Sequence, residues 1–415
     1  LKWGRPLRNI LVLVGSKKIK GSISLSKDES LIFNNCTFSH RFFNKKIIVQ
    51  NTNEYKSILK KHGVFVDRGE RKENILKQVK IILNKNKLKL FEDEKLLDEI
   101  VGLVELPNVH LGRIDKKFMK LPFEVLSTSM KVHQKYFSLI NDEDKMAPFF
   151  LVVSNTQKNK NVERNVIKGN ERVLKARLSD ALFFWDTDIT NKFEKWLEKL
   201  KDVTYYEGLG NLYDRSVRIS KIAFQVSKFF NYEKREKSKQ VGIYSKVDLV
   251  SNMVGEFPEL QGIMGGYFST HQGFDKDISQ ALTEQYLPVG IDSKSPKKPF
   301  SVALSVTDKI DTLVGFFGIN EKPTSSKDPF ALRRIALGII RTIIENKKDF
   351  RVNDLLIYSS RLYQDQGHNL TNQNLQKELY NFLKDRFKFY MKEKQIRLDI
   401  IDASISTFSC NKLFS

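Results

Sequence analysis

Residues 307–344 read TDKIDTLVGFFGINEKPTSSKDPFALRRIALGIIRTII, and this stretch decides the fold of the second half of the chain. The spacing predicts two helices joined by a turn. Asp328 stands where an N-cap belongs and Pro329 at the first helical position, where a missing N–H costs nothing. From there Leu332, Ile335, Ile339 and Ile343 recur at helical intervals, a stripe for a core face. Arg334, Gly338 and Arg341 fall on another side, so two guanidinium groups flank a position with no side chain, and Arg333 lies one step around. That face is either solvated or set against a partner. The preceding helix carries an i,i+3 carboxylate pair, Asp308 and Asp311, inside an apolar run from Val302 to Phe317.

Outward from this stretch, helical patterns fill 214–232, 243–254, 275–286, 300–317 and 329–345, with a Gly-rich interruption, GEFPELQGIMGGY, at 255–267. EGLGN at 207–211 reads as a linker. Beyond Asn353 further helices follow, the clearest with Leu379, Leu383, Phe387 and Tyr390 in one stripe. The first part is mixed. Aliphatic runs at 10–14, 19–25 and 46–49 predict strands, and 54–104 turns helical through Ile75, Val79, Ile82, Leu96, Ile100 and Leu103. A strong helix is expected over 168–188, capped by Asn170, with Leu174, Leu178, Ala181, Leu182 and Trp185 inward. Lys168, Arg172 and Lys175 share another face of it, either solvated or a track for phosphates. The domains expected are 1–206, mixed α/β; 207–348, all-α; and 349–415, a helical linker.

Lys and Arg number 71 against 49 Asp and Glu, a net charge of +22 spread along the chain. The excess points to a polyanion, nucleic acid first, although a genome bias toward Lys and Asn produces runs such as NKNKLKL as well. At 129–139, SMKVHQKYFSL mixes His133, Lys135 and Tyr136, chemistry that stacks bases and holds phosphates and that an ordinary strand with one aromatic face also contains. His40 in SHRFF has no His or Cys at metal spacing, which makes it structural or a surface contact. Two cysteines, Cys36 and Cys410, form neither a disulfide framework nor a zinc pattern, so a reducing cytoplasm is expected. No run reaches the ~20 apolar residues of a membrane span. There is no P-loop and no nucleotide-binding glycine-rich junction.

DKIDTLVGFFGI at 308–319 followed by KDPFALRRIALGIIR at 327–341 resembles the β subunit of the bacterial heterotetrameric glycyl-tRNA synthetase. KWGRP at 2–6, SHRFF at 39–43, MKVHQKYF at 130–137, GNERVLKARLSDALFF at 169–184 and KVDLVSNMVGEFPELQGIMGGY at 246–267 occur in the family's order. The resemblance implies an α+β N-terminal domain, editing-like as in phenylalanyl-tRNA synthetase β chains, then a mostly α-helical HD-like domain. It implies that chain precedes KWG and that an anticodon-binding domain follows, so this sequence, which starts at Leu1, is expected to be truncated at both ends. ATP and Mg are expected at a separate α subunit that activates glycine. This chain contributes tRNA binding and assembly, within an α2β2 heterotetramer.

An HD site holds metal with an early His, a His-Asp pair and a distant Asp. The resemblance sets Arg215 at the early His, Val247-Asp248 at the pair and Asp308 at the distant Asp, leaving no imidazole. The HD remnants Asp248 and Asp308 are therefore expected to pair with Arg or cap backbone groups, with no metal. Candidate contacts to tRNA or the α subunit are His133, Lys135, Tyr136, Lys168, Arg172, Lys175, Arg333, Arg334 and Arg341. The alternatives are an active HD-type metal phosphohydrolase and a non-functional remnant of the subunit.

Overall fold

The computed structural model describes residues 7–26, 29–230, 235–290, 293–348 and 351–407. KWGRP, Tyr232 and Cys410 lie outside them. The chain forms two compact units, Leu1–Leu182 and Phe183–Ser415.

The first unit opens with short strands: β1 (Ile10–Leu11), β2 (Leu13–Val14), β3 (Lys17–Lys18), β4 (Ser22–Ser24), β5 (Ser30–Asn34), β6 (Cys36–Phe38) and β7 (Lys46–Ile48). β5 pairs with β1 in parallel and with β4 antiparallel; β2–β3 and β6–β7 are antiparallel pairs. Helices α1 (Tyr55–Lys61) and α2 (Arg68–Asn86), strand β8 (Lys89–Leu90) and helix α3 (Glu94–Leu103) follow. Then come β9 (Pro107–Arg113), α4 (Phe123–Thr128), β10 (Phe137–Ile140), β11 (Met146–Asn155) and the long helix α5 (Lys160–Asp188), through which the division passes.

A four-stranded antiparallel sheet, ordered β8-β10-β11-β9, carries this unit's main core. Asp67 caps α2 by accepting the N–H groups of Gly69 and Glu70, and Asp93 caps α3 through Leu96. Ile75 and Val79 of α2 and Leu96 and Ile100 of α3 are buried with Val109, Leu139 and Leu151 of the sheet, as their spacing predicts. Leu103, the next position of that stripe, is exposed. His40 is buried and structural, 3.0 Å from Asn155 Oδ1.

The second unit is nearly all helix. α6 (Phe193–Lys199) leads to a hairpin of β12 (Thr204–Tyr206) and β13 (Gly210–Asn211), so EGLGN is a tight turn over 207–209 and the strand after it rather than a linker, with Gly208 and Gly210 at positive φ. Asn211 then caps α7 (Leu212–Val226) in a capping box with Asp214. The helix expected over 243–254 is broken instead: α8 (Lys237–Ile243) and α9 (Asn252–Glu256) flank a 3₁₀ turn, Val247–Val250. The Gly-rich interruption contains most of a helix, α10 (Ile263–His271). There follow α11 (Lys276–Glu284), α12 (Pro299–Gly318), α13 (Leu332–Asn346), α14 (Val352–Asp365), α15 (Leu375–Glu393) and α16 (Leu398–Thr407).

α12 is the axis of this unit. It is buried from Phe300 to Gly318, and α7, α13, α14 and α15 contribute to the core around it. Leu332, Ile339 and Ile343 of α13 lie in that core, with Ile335 against it. Among the described residues no helix is long and apolar enough to cross a membrane.

Candidate functional site

A helix buried on all sides reads as wholly apolar, yet α12 carries Asp308, Lys309 and Asp311 into the interior. Their partners come from α7, where Arg215 and Arg218 repeat the same i,i+3 spacing with the opposite sign. Arg218 makes a two-pronged contact with Asp311, Nε to Oδ1 at 2.7 Å and NH2 to Oδ2 at 3.3 Å, with both side chains fully buried. Its guanidinium lies 3.7 Å from the ring centre of Tyr363, and the Tyr363 hydroxyl donates back to Asp311. Arg215 donates to Asp308 Oδ1 at 2.9 Å and to Thr312 Oγ1 at 2.8 Å, above the ring of Tyr205. Lys246 reaches the same Asp308 oxygen at 2.7 Å and also donates to Gln285 at 2.9 Å and to Tyr286 at 3.1 Å.

Burial works to raise the Asp308 carboxyl, but Lys246 and Arg215 prevail and hold it down at about 2. Burial lowers Lys246 to about 8, with Asp308 opposing, and lowers Lys309 likewise to about 8. Asp248 is pushed up by burial to about 6, while the N–H groups of Gly262 and Gly265 work the other way. Those two amides lie 2.5 and 3.2 Å from its Oδ2. Asp308 thus pairs with cations, and Asp248 accepts backbone N–H groups. Val247, next to Asp248, is fully buried. Among the described residues no group of three His, Cys, Asp or Glu side chains is arranged to hold a metal ion.

The arginine helix departs from expectation in three ways. α13 begins at Leu332, not at Pro329, because Ala331 adopts a left-handed conformation. Asp328 still caps it from farther back, its carboxylate accepting the N–H groups of Leu332 at 2.8 Å and Arg333 at 3.0 Å. Gly338 is not an open seat for a partner either: a Cβ there would stand 2.7 Å from Cε of Lys309, whose stem passes against it. Arg341 is turned inward. It bonds Glu345 at 2.9 Å, the Gly290 carbonyl at 2.6 Å and the Ser293 carbonyl at 2.8 Å, and so fastens Gly290 and Ser293 to α13. Arg333 is held by the Thr324 carbonyl and lies 3.9 Å from Asp328. Arg334 alone of the three is exposed, on the rim of a cavity of about 250 Å³ shared with Phe389 and Tyr390.

In the first unit Tyr136 is no stacking platform. It is buried, stacked on Phe150, and its hydroxyl donates to Asn170 at 2.5 Å. Asn170 therefore sits inside α5, which begins ten residues before the expected cap. Lys135 pairs with Glu99 at 2.9 Å, and His133 is exposed. Lys168, Arg172 and Lys175 are all exposed on α5.

The spacing did not single out Arg218 or Lys246. The signal for Arg218 was present: two i,i+3 pairs of opposite sign, 215/218 and 308/311, are complementary teeth for two packed helices. Lys246 could be found only beside its acid, since a lysine preceding Val-Asp reads as surface.

A family model described as glycyl-tRNA synthetase beta subunit matches residues 1–406. Proteins named glycine–tRNA ligase beta subunit from Rickettsia canadensis (strain McKiel), Rhodospirillum centenum (strain ATCC 51521 / SW) and Phenylobacterium zucineum (strain HLK1) are 44%, 38% and 39% identical to this chain. The matches cover 94%, 97% and 97% of it, but only 56%, 59% and 57% of the relatives, so the chain spans little more than half their length.

Proposed function

The chain belongs to the glycyl-tRNA synthetase β-subunit family, and on that premise we propose that it supplies tRNA binding and assembly to a glycine–tRNA ligase, beside an α subunit that activates glycine with ATP and Mg. The observation that carries this reading is the family match over 1–406. The net charge of +22 supports a polyanion partner. The first unit corresponds on this reading to the editing-like domain and the second to an HD-like domain that has lost its chemistry. In the second, Arg215 and Lys246 give Asp308 attached cations in place of a metal, which argues against phosphohydrolase activity. The complex works in the cytoplasm as an α2β2 heterotetramer. The test is co-expression of the 415-residue chain with the α subunit, co-purification, and assay of glycine-dependent ATP–pyrophosphate exchange and of tRNA glycylation. The complex is expected to form and the free chain to give no exchange. Failure of the two chains to associate, or exchange by the free chain, overturns the reading.

A further inference from the structure

The exposed cations on α5 extend beyond the three that the sequence singled out. Lys160, Arg164, Lys168, Arg172 and Lys175 follow one another at intervals of four, four, four and three residues, and all five are exposed. At 1.5 Å and 100° per residue they form an inclined stripe about 22 Å long across an arc of about 120°.

Like charges one turn apart work against a helix, and acids at those distances normally offset them. Here neither of the two nearest acids makes an ion pair with a cation of the stripe. Glu171 accepts the backbone N–H of Arg113 at 2.9 Å, and Glu163 faces His110 at 3.7 Å. None of the five cations has an ion-pair partner among the described residues. On α1 and α2, by contrast, Lys56, Lys60 and Lys72 each have a carboxylate within 3.3 Å.

The stripe also borders a groove. Two shallow depressions, of about 660 and about 470 Å³, adjoin at Arg113 and Glu171. The first takes in Lys175 and Lys116, the second Lys160, Arg164 and Lys168. A row of unpaired cations at roughly 6 Å axial steps along an open groove, whose floor mixes charged side chains with Ile114, Pro148, Phe149 and Ile167, suits a chain of phosphates. A protein interface would need a desolvated apolar or aromatic centre, and the stripe itself supplies none.

We propose that the α5 stripe, with Arg113 and Lys116 across the groove, is the track on which the first unit holds the phosphodiester backbone of RNA. This rests on the tRNA-binding reading above and assigns it to a surface.

The experiment measures binding of unmodified tRNA transcript to the full chain complexed with its α subunit, across a salt series. The variants are Lys168→Ala/Arg172→Ala/Lys175→Ala and a control of equal charge loss on α2, Lys77→Ala/Lys80→Ala/Lys85→Ala. Each phosphate contact removed flattens the plot of log affinity against log salt by about 0.7–0.9, so the stripe variant is expected to lose about 2 to 3 units of slope and the control to keep the parental slope. A Lys168→Arg/Lys175→Arg variant should retain it too. Equal loss in stripe and control variants overturns the proposal, because the effect is then one of net charge. An unchanged slope in the stripe variant, with the parent binding tRNA, overturns the track and leaves the tRNA-binding reading standing. Loss of α-subunit association in place of RNA affinity reassigns the surface to protein and overturns it. A parent complex that binds no tRNA removes both.

Discussion

Replacing Asp308 with Asn probes the buried charge cluster at the carboxylate that Arg215 and Lys246 share. Asp308 Oδ1 receives Arg215 at 2.9 Å and Lys246 at 2.7 Å. The variant leaves Arg215 with Thr312 and with Asp311 at 3.6 Å, but removes the carboxylate that Lys246 touches, so its hydrogen-bond partners become neutral and Asp248 is the remaining acid supporting its charge. Removing one partner of a buried pair costs about 3–5 kcal/mol, and that loss is expected at pH 7. Its pH dependence follows from signs. Asp308 is depressed from 3.8 to about 2, so its contribution of about 2 kcal/mol is present above pH 3.8 and disappears as pH falls through about 2. Lys246 is depressed from 10.5 to about 8, so between those values the unfolded chain binds more protons and stability rises with pH. Without Asp308 the ammonium loses its chief support, and the rise should start at a lower pH. Urea unfolding at pH 7 and pH 9.5, followed by tryptophan fluorescence in a Trp3→Phe background, reads this in the right unit, because the other two tryptophans, Trp185 and Trp196, both belong to the second one. A loss below about 1 kcal/mol at pH 7, well under the range for a broken buried pair, or a loss independent of pH, refutes the reasoning.

Gly338→Ala should destabilise by about 1–3 kcal/mol despite better helix propensity, because Lys309 is pinned by Leu287 and Ser305 and cannot swing clear; a Lys309→Ala second change should recover part of the loss in the same urea assay. Arg341→Ala should cost about 1.5–3 kcal/mol through its loop contacts and leave the salt dependence of tRNA binding unchanged, which a titration of the complex checks. Tyr136→Phe should lower stability by about 0.5–1.5 kcal/mol by removing the bond to Asn170, with no loss of tRNA affinity.

Periodicity made the core faces legible, because an apolar stripe has one place to go. The Ile stripe of α13 and the paired stripes of α2 and α3 are buried where spacing puts them. What lies on the remaining faces was not legible. Gly338 reads as bare because the atoms that fill its space belong to Lys309, on another helix. Arg341 reads as a surface cation because its acceptors are backbone carbonyls about fifty residues upstream, and every sequence has carbonyls. Tyr136 and Asn170 are separated by 34 residues, and nothing local pairs them. Caps failed differently: Asp328 keeps its chemical role, but the left-handed Ala331 shifts the helix start three residues onward.

Asp308 and Asp248 illustrate how far residue chemistry alone can carry. A carboxylate in a low-dielectric interior requires positive charge within about 3 Å or several donated N–H groups, and the sequence offers no imidazole to recruit a metal at either one. Asp308 took the first solution and Asp248 the second. The difference from a metal is exchange. A bound divalent ion can polarise a water and activate it, whereas the guanidinium of Arg215 on α7 and the ammonium of Lys246 are covalently held, and neither leaves nor opens a coordination position. The same charge that would serve catalysis as a free ion therefore serves here to fix α7 against α12, and the helices packed on α12 inherit that register.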